Sequence, residues 1–222
     1  MILDLHNHTR YSPDSKVDPI ALVRLAQSIG LHGIAITDHN AVGGIRVAAE
    51  AAGSFPDFVV IPATEVSTAR GHILAYGVRT TIPRDLTPVE TVEQIVAEGG
   101  VPVAAHPYRF WSGLGEDAAV SARFAAYEVH NARTLRRGNE RAISLAARTR
   151  VGHTGGSDSH FLHELGRGVT SLNRGATTVD DILQAIGSRR TQGVGLHRGP
   201  WETTTYITKC VGEWLLRGMR RI

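Results

Sequence analysis

The residues best suited to chemistry are histidines and acids that recur in short polar bursts. These are Asp4-Leu5-His6-Asn7-His8, Thr37-Asp38-His39-Asn40, Glu65, His72, His106-Pro107, Glu128-Val129-His130-Asn131 and Asp158-Ser159-His160. On an extended segment residues i and i+2 project to the same side, so His6 and His8 can reach one cation together, as can Asp158 and His160. Imidazole and carboxylate donors suit Zn, Mn or Fe rather than Ca or Mg alone, and a carboxylate such as Glu65 can bridge two cations. Cys210 is the sole cysteine, which excludes a cysteine-cluster zinc site and an internal disulfide framework. One histidine at a strand end is more often a packed or solvated residue than a ligand. Six of them, with three or four acids, point instead to a metal cluster.

Groups scattered from His6 to His160 need a scaffold that gathers them. Short apolar runs alternate with helical periodicity along the chain, the pattern of repeated βα units. It predicts strands over 2–6, 33–37, 58–62, 72–77, 101–105, 125–129 and 151–155, and helices over 19–29, 42–52, 88–98, 136–147 and 178–187. Pro19 and Pro88 near helix starts, with Gly30 and Gly99 just past the ends, are start and stop signals. A run that is apolar throughout, such as Val101-Pro102-Val103-Ala104-Ala105, belongs in a parallel sheet covered by helices on both faces. The expected class is α/β, as a closed or nearly closed barrel, with an open doubly wound sheet as the alternative. Nearly every predicted strand runs directly into one of the polar bursts. A parallel barrel would bring those C-terminal ends to one rim. No fixed-period repeat and no linker rich in Pro, Gly or Ser divides the chain, so residues 1–222 are expected to form one domain.

Taken in order, these motifs resemble the PHP (polymerase and histidinol phosphatase) family of metal-dependent phosphoesterases. The resemblance rests on Asp4 to Thr9 with Tyr11-Ser12-Pro13-Asp14-Ser15, Ile36 to Asn40, Glu65 with Gly71-His72, Ala105-His106-Pro107, Glu128 to Asn131, and Gly156 to His160. It covers about residues 1–172 and implies a distorted (β/α)7 barrel with up to three divalent metal ions (Zn, Mn or Fe) at its C-terminal rim. By position it implies that His6, His8, Glu65 and Asp158 hold the first ion. Asp14, His39 and His160 would hold the second, and Glu65, as a bridge, with His72 and His106 the third. It further implies hydrolysis of a phosphate ester by a metal-activated hydroxide, water being acidified toward a pKa near ~7. Arg109 and Arg133 follow the motifs closely enough to reach the same rim and clamp phosphate, the alternative being solvated loop arginines. Asp38 alternates away from the metal side and is expected to orient rather than ligate.

Composition narrows the partners. The net charge is only +3, from 24 basic and 21 acidic residues, which is not the signature of a nucleic-acid binder. Almost all basic residues are arginine, thickening at Arg133, Arg136 and Arg137 and again at Arg217, Arg220 and Arg221. The expected partner is a small phosphomonoester of histidinol phosphate or nucleotide type. The alternative is a phosphodiesterase or exonuclease on short DNA or RNA ends, which needs a basic groove with aromatic platforms. Only Tyr108, Phe110 and Trp111 beside Arg109 hint at one. An amidohydrolase-type reading lacks the mid-barrel lysine, since Lys16 and Lys209 fall outside any such strand. A non-catalytic metal-binding accessory module sits poorly with a complete set of expected ligands. No apolar run approaches the ~20 residues needed to cross a bilayer, and no export signal is readable. A cytoplasmic protein with no membrane partner is expected, and an oligomer remains open. His32, His153, His163 and His197 lie off the pattern as surface or core residues, and His130 either lines the pocket or packs. Trp201 and residues 213–217 are expected to pack on the barrel or on a sister subunit.

Overall fold

Three helices announce their starts in the sequence, and the computed structural model shows why. It describes residues 1–172 and 175–197, with 203–205, 208, 212, 215 and 218 beyond. Helix α1 (Pro19–Ser28) begins where the Asp18 carboxylate accepts hydrogen bonds from the Ile20 and Ala21 N–H groups, with Pro19 at the first helical position. Helices α3 (Pro88–Ala97) and α6 (Val179–Gly187) open with capping boxes, Thr87 with Glu90 and Thr178 with Asp181. Each satisfies donors that a helix start otherwise leaves unpaired. The other helices are α2 (Gly43–Ala52), α4 (Gly115–Ser121) and α5 (Arg136–Thr149).

Nine strands among the described residues form one sheet: β1 (Ile2–Asp4), β2 (Gly33–Ile36), β3 (Val59–Ser67), β4 (His72–Tyr76), β5 (Val101–Ala104), β6 (Ala126–Asn131), β7 (Gly152–Gly156), β8 (Gly168–Leu172) and β9 (Thr191–Gly195). Their order is β7-β6-β5-β4-β3-β2-β1-β8-β9. The sheet curls until its ends nearly meet. Thr170 Oγ1 of β8 donates to Gly155 O and accepts from Gly155 N–H of β7, both at 2.8 Å, and Thr191 Oγ1 of β9 donates to His153 O at 2.6 Å. The fold is therefore the expected α/β, nearly closed barrel.

The sheet departs from a uniform parallel barrel at two places. β4 pairs antiparallel with both β3 and β5, and β8 pairs antiparallel with β1 and β9. The reason for the first is length: residues 63–71 between the predicted strands are too few for a parallel crossover, which needs a dozen or more. They instead extend β3 to Ser67 and turn back through Gly71, whose φ of +75° is open to glycine without steric cost. Helix α4 and strands β8 and β9 are additions to the predicted elements. The end of the chain, Trp201 and residues 213–217 with Arg220 and Arg221, lies outside the described residues apart from Leu215.

Alternation along the strands builds the site on an apolar plug. Leu3, Ile61, Ala63, Leu74, Tyr76, Val103 and Ala126 are buried together with Ile182, Ala185 and Ile186 of α6. Continuing two residues at a time, 61-63 leads to Glu65, 76-74 to His72 and 126 to Glu128, so the same face turns from apolar to polar at the rim. Burying each large aliphatic side chain there contributes about 1.5–3 kcal/mol, which holds the strands while the polar rim adds desolvation cost. Separate apolar clusters seat α1 and α2 on β2, and α3, α4 and α5 on the other half of the sheet. No described helix is long and apolar enough to cross a membrane.

Candidate metal centre

The rim gathers all nine sequence-predicted ligand residues around one carboxylate. Glu65, 1% exposed, has five imidazoles on its two oxygens. Oε1 lies 2.9 Å from His72 Nδ1 and 2.9 Å from His106 Nε2. Oε2 lies 3.1 Å from His6 Nε2, 3.2 Å from His8 Nε2 and 3.5 Å from His39 Nε2. A second carboxylate, Asp158, places Oδ1 3.5 Å from His8 Nε2 and 3.9 Å from His6 Nε2. The third, Asp14, stands 2.6 Å from His160 Nε2 and 3.6 Å from His39 Nε2.

Donor atoms within 4.8 Å of one another form four groups among the described residues: His8, Asp14, His39 and His160; His6, His8 and Asp158; His6, Glu65 and His106; and His39, Glu65 and His72. These overlap the three expected sets, with His8 shared toward Asp14 and Glu65 shared between two groups. The off-pattern histidines His32, His153, His163 and His197 join none of them. His130 packs against Gly195 and the His197 ring, 5.0 Å between centroids, rather than facing the centre. Asp38 holds the Thr9 N–H and hydroxyl at 2.6 and 2.7 Å and ligates nothing.

The neighbours of the ligand residues fix their orientation. Glu128 accepts from His6 Nδ1 at 2.9 Å, from the His106 N–H at 2.9 Å and from Asn131 Nδ2 at 3.1 Å. Its motif position was visible in the sequence, but its role was not, because a carboxylate at a strand end reads the same whether it ligates or orients. His6 Cβ sits where a Cβ on Gly156 would fall, 2.3 Å away, so only glycine lets β7 approach β1 there. His106 and Asp158 have φ of +29° and +54°. Such left-handed backbone costs about 1–3 kcal/mol per residue and persists where the surroundings fix it.

Charge in the centre is balanced by burial and proximity. Burial raises carboxyl pKa values and lowers imidazole ones, yet Glu65 is held well below the usual carboxylate range by His39, His6 and His72, and Asp158 by Arg109 and His6. Burial pulls His8 down, but the nearby carboxylates of Asp158, Glu65 and Asp14 outweigh that and push it up to about 9. His6 is raised likewise by Glu128, Glu65 and Asp158. His39 falls to about 3 and His160 to about 4, where burial prevails.

The donor set fits divalent cations. His8 Nε2, His39 Nδ1 and His106 Nδ1 are buried without a hydrogen-bond partner, a condition worth about 1–3 kcal/mol per group. For His8 Nε2, a Lewis acid between it, Glu65 and Asp158 would relieve that penalty. Imidazole nitrogen with carboxylate oxygen is the donor chemistry of Zn, Mn and Fe sites. Arg109 and Arg133 both reach the centre: Arg109 Nη1 donates to Asp158 Oδ2 at 2.5 Å, and Arg133 Nη1 to His160 Nδ1 at 2.6 Å.

A family model described as PHP-associated matches residues 136–191. An uncharacterized protein of Methanocaldococcus jannaschii is 36% identical over 118 residues, covering 49% of this chain and 68% of that one. The chain belongs to the PHP family. Among solved structures, a two-domain protein from Bacteroides vulgatus containing a predicted PHP-like metal-dependent phosphoesterase superposes with a TM-score of 0.72 at 19% identity. That match covers 88% of this chain and 64% of the other. The lesion-specific endonuclease Q of Pyrococcus furiosus superposes with a TM-score of 0.61 at 17% identity, over 88% of this chain and 59% of that one. This PHP chain thus shares the barrel with both and spans less than two thirds of either.

Proposed function

We propose that the protein is a metal-dependent phosphoesterase that hydrolyses a small phosphomonoester, residues 1–222 acting as one PHP domain. The observation that supports it best is the surrounding of the buried Glu65 carboxylate by five imidazoles. His6, His8, Glu65 and Asp158, then Asp14, His39 and His160, then Glu65 with His72 and His106 would hold up to three ions of Zn, Mn or Fe. Bound cations supply Lewis acidity, lowering the pKa of water and neutralising charge on phosphoryl oxygens. The protein's own part is orientation and charge. Glu128 fixes the His6 ring and the His106 backbone. Arg109 and Arg133 present guanidinium groups beside Asp158 and His160, where they would bind phosphoryl oxygens in bidentate fashion. The strand faces below are apolar and fully buried, which keeps bulk water to the open side of the rim.

Elemental analysis of the purified protein, with hydrolysis of p-nitrophenyl phosphate and its bis-ester with and without Mn or Zn, tests this reading. Two to three metals per chain with monoesterase activity is the expected result. Preference for the diester would favour a nuclease, the second reading, which draws on the fold shared with endonuclease Q. Metal without turnover would favour an accessory role, and absence of metal would overturn the proposal.

A further inference from the structure

Asp14 reaches the centre from a loop rather than a strand, and the serines around it, Ser12 and Ser15, touch every member of its donor group. That group is His8, Asp14, His39 and His160. Ser15 Oγ shares its proton between His8 O at 3.1 Å and His160 O at 3.3 Å, and accepts from the Val17 N–H at 3.2 Å. Ser12 is 3% exposed. Its Oγ donates to Asp14 Oδ1 at 2.7 Å, accepts from the His39 N–H at 3.2 Å and lies 3.4 Å from His8 Nδ1. The two hydroxyls differ in what they hold. Ser15 Oγ binds backbone atoms and so fastens the loop to β1 and to the segment after β7. Ser12 Oγ meets the Asp14 carboxylate and the His8 ring, the parts that would hold an ion.

A hydroxyl has one proton and two acceptor lone pairs, which fixes what each neighbour of Ser12 must offer. An ionised carboxylate only accepts, so the Ser12 proton goes to Asp14 Oδ1. Both lone pairs then face donors: one takes the His39 N–H, and the other faces His8 Nδ1, which must carry a proton. His8 Nε2 is the remaining ring nitrogen, buried without a hydrogen-bond partner and turned toward Glu65 Oε2 and Asp158 Oδ1, 3.2 and 3.5 Å away. With Asp14 Oδ1 engaged, Oδ2 is the oxygen presented to the centre, 2.6 Å from His160 Nε2 and 3.6 Å from His39 Nε2. We propose that Ser12 is a positioning residue for the ion held by the Asp14 group, aiming Asp14 Oδ2 inward and holding the His8 ring with Nε2 toward the metal. This role rests on the metal centre proposed above and not on the ester it would cleave. The loop does not depend on the Ser12 hydroxyl for its place. Besides the Ser15 bonds, the Arg10 N–H donates to Val17 O at 2.8 Å, the Ser12 N–H donates to Thr9 O at 2.9 Å, and the Arg10 side chain pairs with Asp18. Removing the hydroxyl should therefore spare the backbone and spoil the aim of two donors.

Ser12→Ala and Ser12→Thr, titrated with Zn or Mn against a chromophoric chelator and compared with the wild-type protein, test this. In Ser12→Ala one ion per chain should bind about 10–100-fold more weakly, while the ions held through Glu65 with His72 and His106 keep their affinity. Ser12→Thr, which retains the hydroxyl, should bind every ion as the wild type does. In ¹⁵N-edited NMR spectra of the Zn-loaded wild type, His8 Nδ1 should carry a proton protected from solvent, and that proton should exchange faster in Ser12→Ala. Unchanged affinity in Ser12→Ala, a loss spread evenly over all ions, or a Ser12→Thr variant no better than Ser12→Ala would overturn the proposal. Wild-type protein that takes up metal yet hydrolyses no phosphate ester would sink the phosphoesterase reading alone and leave the Ser12 comparison intact. Wild-type protein that takes up no metal would overturn both.

Discussion

Replacing Glu128 by glutamine should cripple metal binding although Glu128 is not among the expected ligands. Its Oε1 accepts from His6 Nδ1, and its Oε2 accepts from the His106 N–H and Asn131 Nδ2. With donors on both oxygens, His6 carries a proton on Nδ1. Its Nε2 faces Glu65 and Asp158 and is free to give a lone pair to a cation. Glutamine has the same shape but only one oxygen. If that oxygen serves His106 and Asn131, the amide N–H faces His6 Nδ1, and the ring must move its proton to Nε2, the atom needed for the metal. If the oxygen serves His6 instead, two buried donors confront the amide NH2, at about 1–3 kcal/mol. Either way, binding must reverse the wrong tautomer or bear the unpaired donors. Loss of a partner of this kind typically lowers metal affinity or activity by about 10–100-fold, or about 1.4–2.7 kcal/mol. Titration with Zn or Mn in competition with a chromophoric chelator, with metal content measured after dialysis, reads the effect directly. Affinity for Glu128→Gln within twofold of wild type, while His6→Ala loses metal, would refute the tautomer argument.

Four further outcomes follow from the same geometry. His8→Ala and Asp158→Ala should each abolish phosphoesterase turnover and lower bound metal, while His197→Ala, whose ring packs on His130 and joins none of the donor groups, should do neither; equal loss in all three would place the site elsewhere. Stripping metal with a chelator should lower the melting temperature by roughly 10 °C if binding occurs near 1,000 times Kd, since that contributes about 4 kcal/mol. Asp18→Ala removes the cap of α1 and should cost about 1 kcal/mol, or about 2–4 °C, with metal content unchanged. Glu90 and Asp181 are held below the ordinary carboxyl range by their bonds to Thr87 and to Thr177 and Thr178. Their folded pKa values are depressed, so the caps contribute above the unfolded pKa and fade as pH falls through the folded one. Hydrogen exchange should show the first turns of α3 and α6 fraying below about pH 4.

The sequence made the centre more legible than the scaffold around it. Candidate donors depend on residue type and parity, which are written locally: His6 and His8 needed only an extended chain to face the same way. Asp158, at a φ of +54°, instead joins His6 and His8 while His160 joins Asp14 and His39, so that pair does not share one group as the spacing suggested. Helix starts were equally local, since Asp18, Thr87 and Thr178 cap their own turns and Pro19 and Pro88 sit at first helical positions. Strand direction was not. The pairing of β8 with β1 joins Ser171 to Ile2, a contact across nearly the whole described chain that no window of sequence contains. Strands β8 and β9 carry Gly168, Thr170 and Gly193, suited to close approach and hydroxyl bonding to β7 rather than to apolar alternation, so they read as loops. The short helix α4 hides for a similar reason, because it buries only Ala118 and Ala119.

The reversal of β4 bears on why Glu65 can serve so many partners. In a uniformly parallel barrel each strand delivers its last residues to the rim and then leaves through a loop. Here β3 continues past the rim, and β4 returns beside it, pairing Ser67 with His72 and Glu65 with Leu74. Glu65 and His72 are therefore diagonal neighbours on one face, close enough for a 2.9 Å contact of the kind that long side chains make across a ladder. A carboxylate on a loop would lose side-chain and backbone freedom on ordering, at about 1–2 kcal/mol per residue for the backbone alone. Glu65 has that freedom already removed by ladders on both sides of β3, to β2 and β4, and the His39–Glu65 bridge extends the first of these to the rim. The departure from the expected parallel barrel thus places the central carboxylate on backbone held by neighbours on both sides. Were Glu65 to hold two cations, as proposed above, that constraint would keep it from swinging toward one ion and abandoning the other.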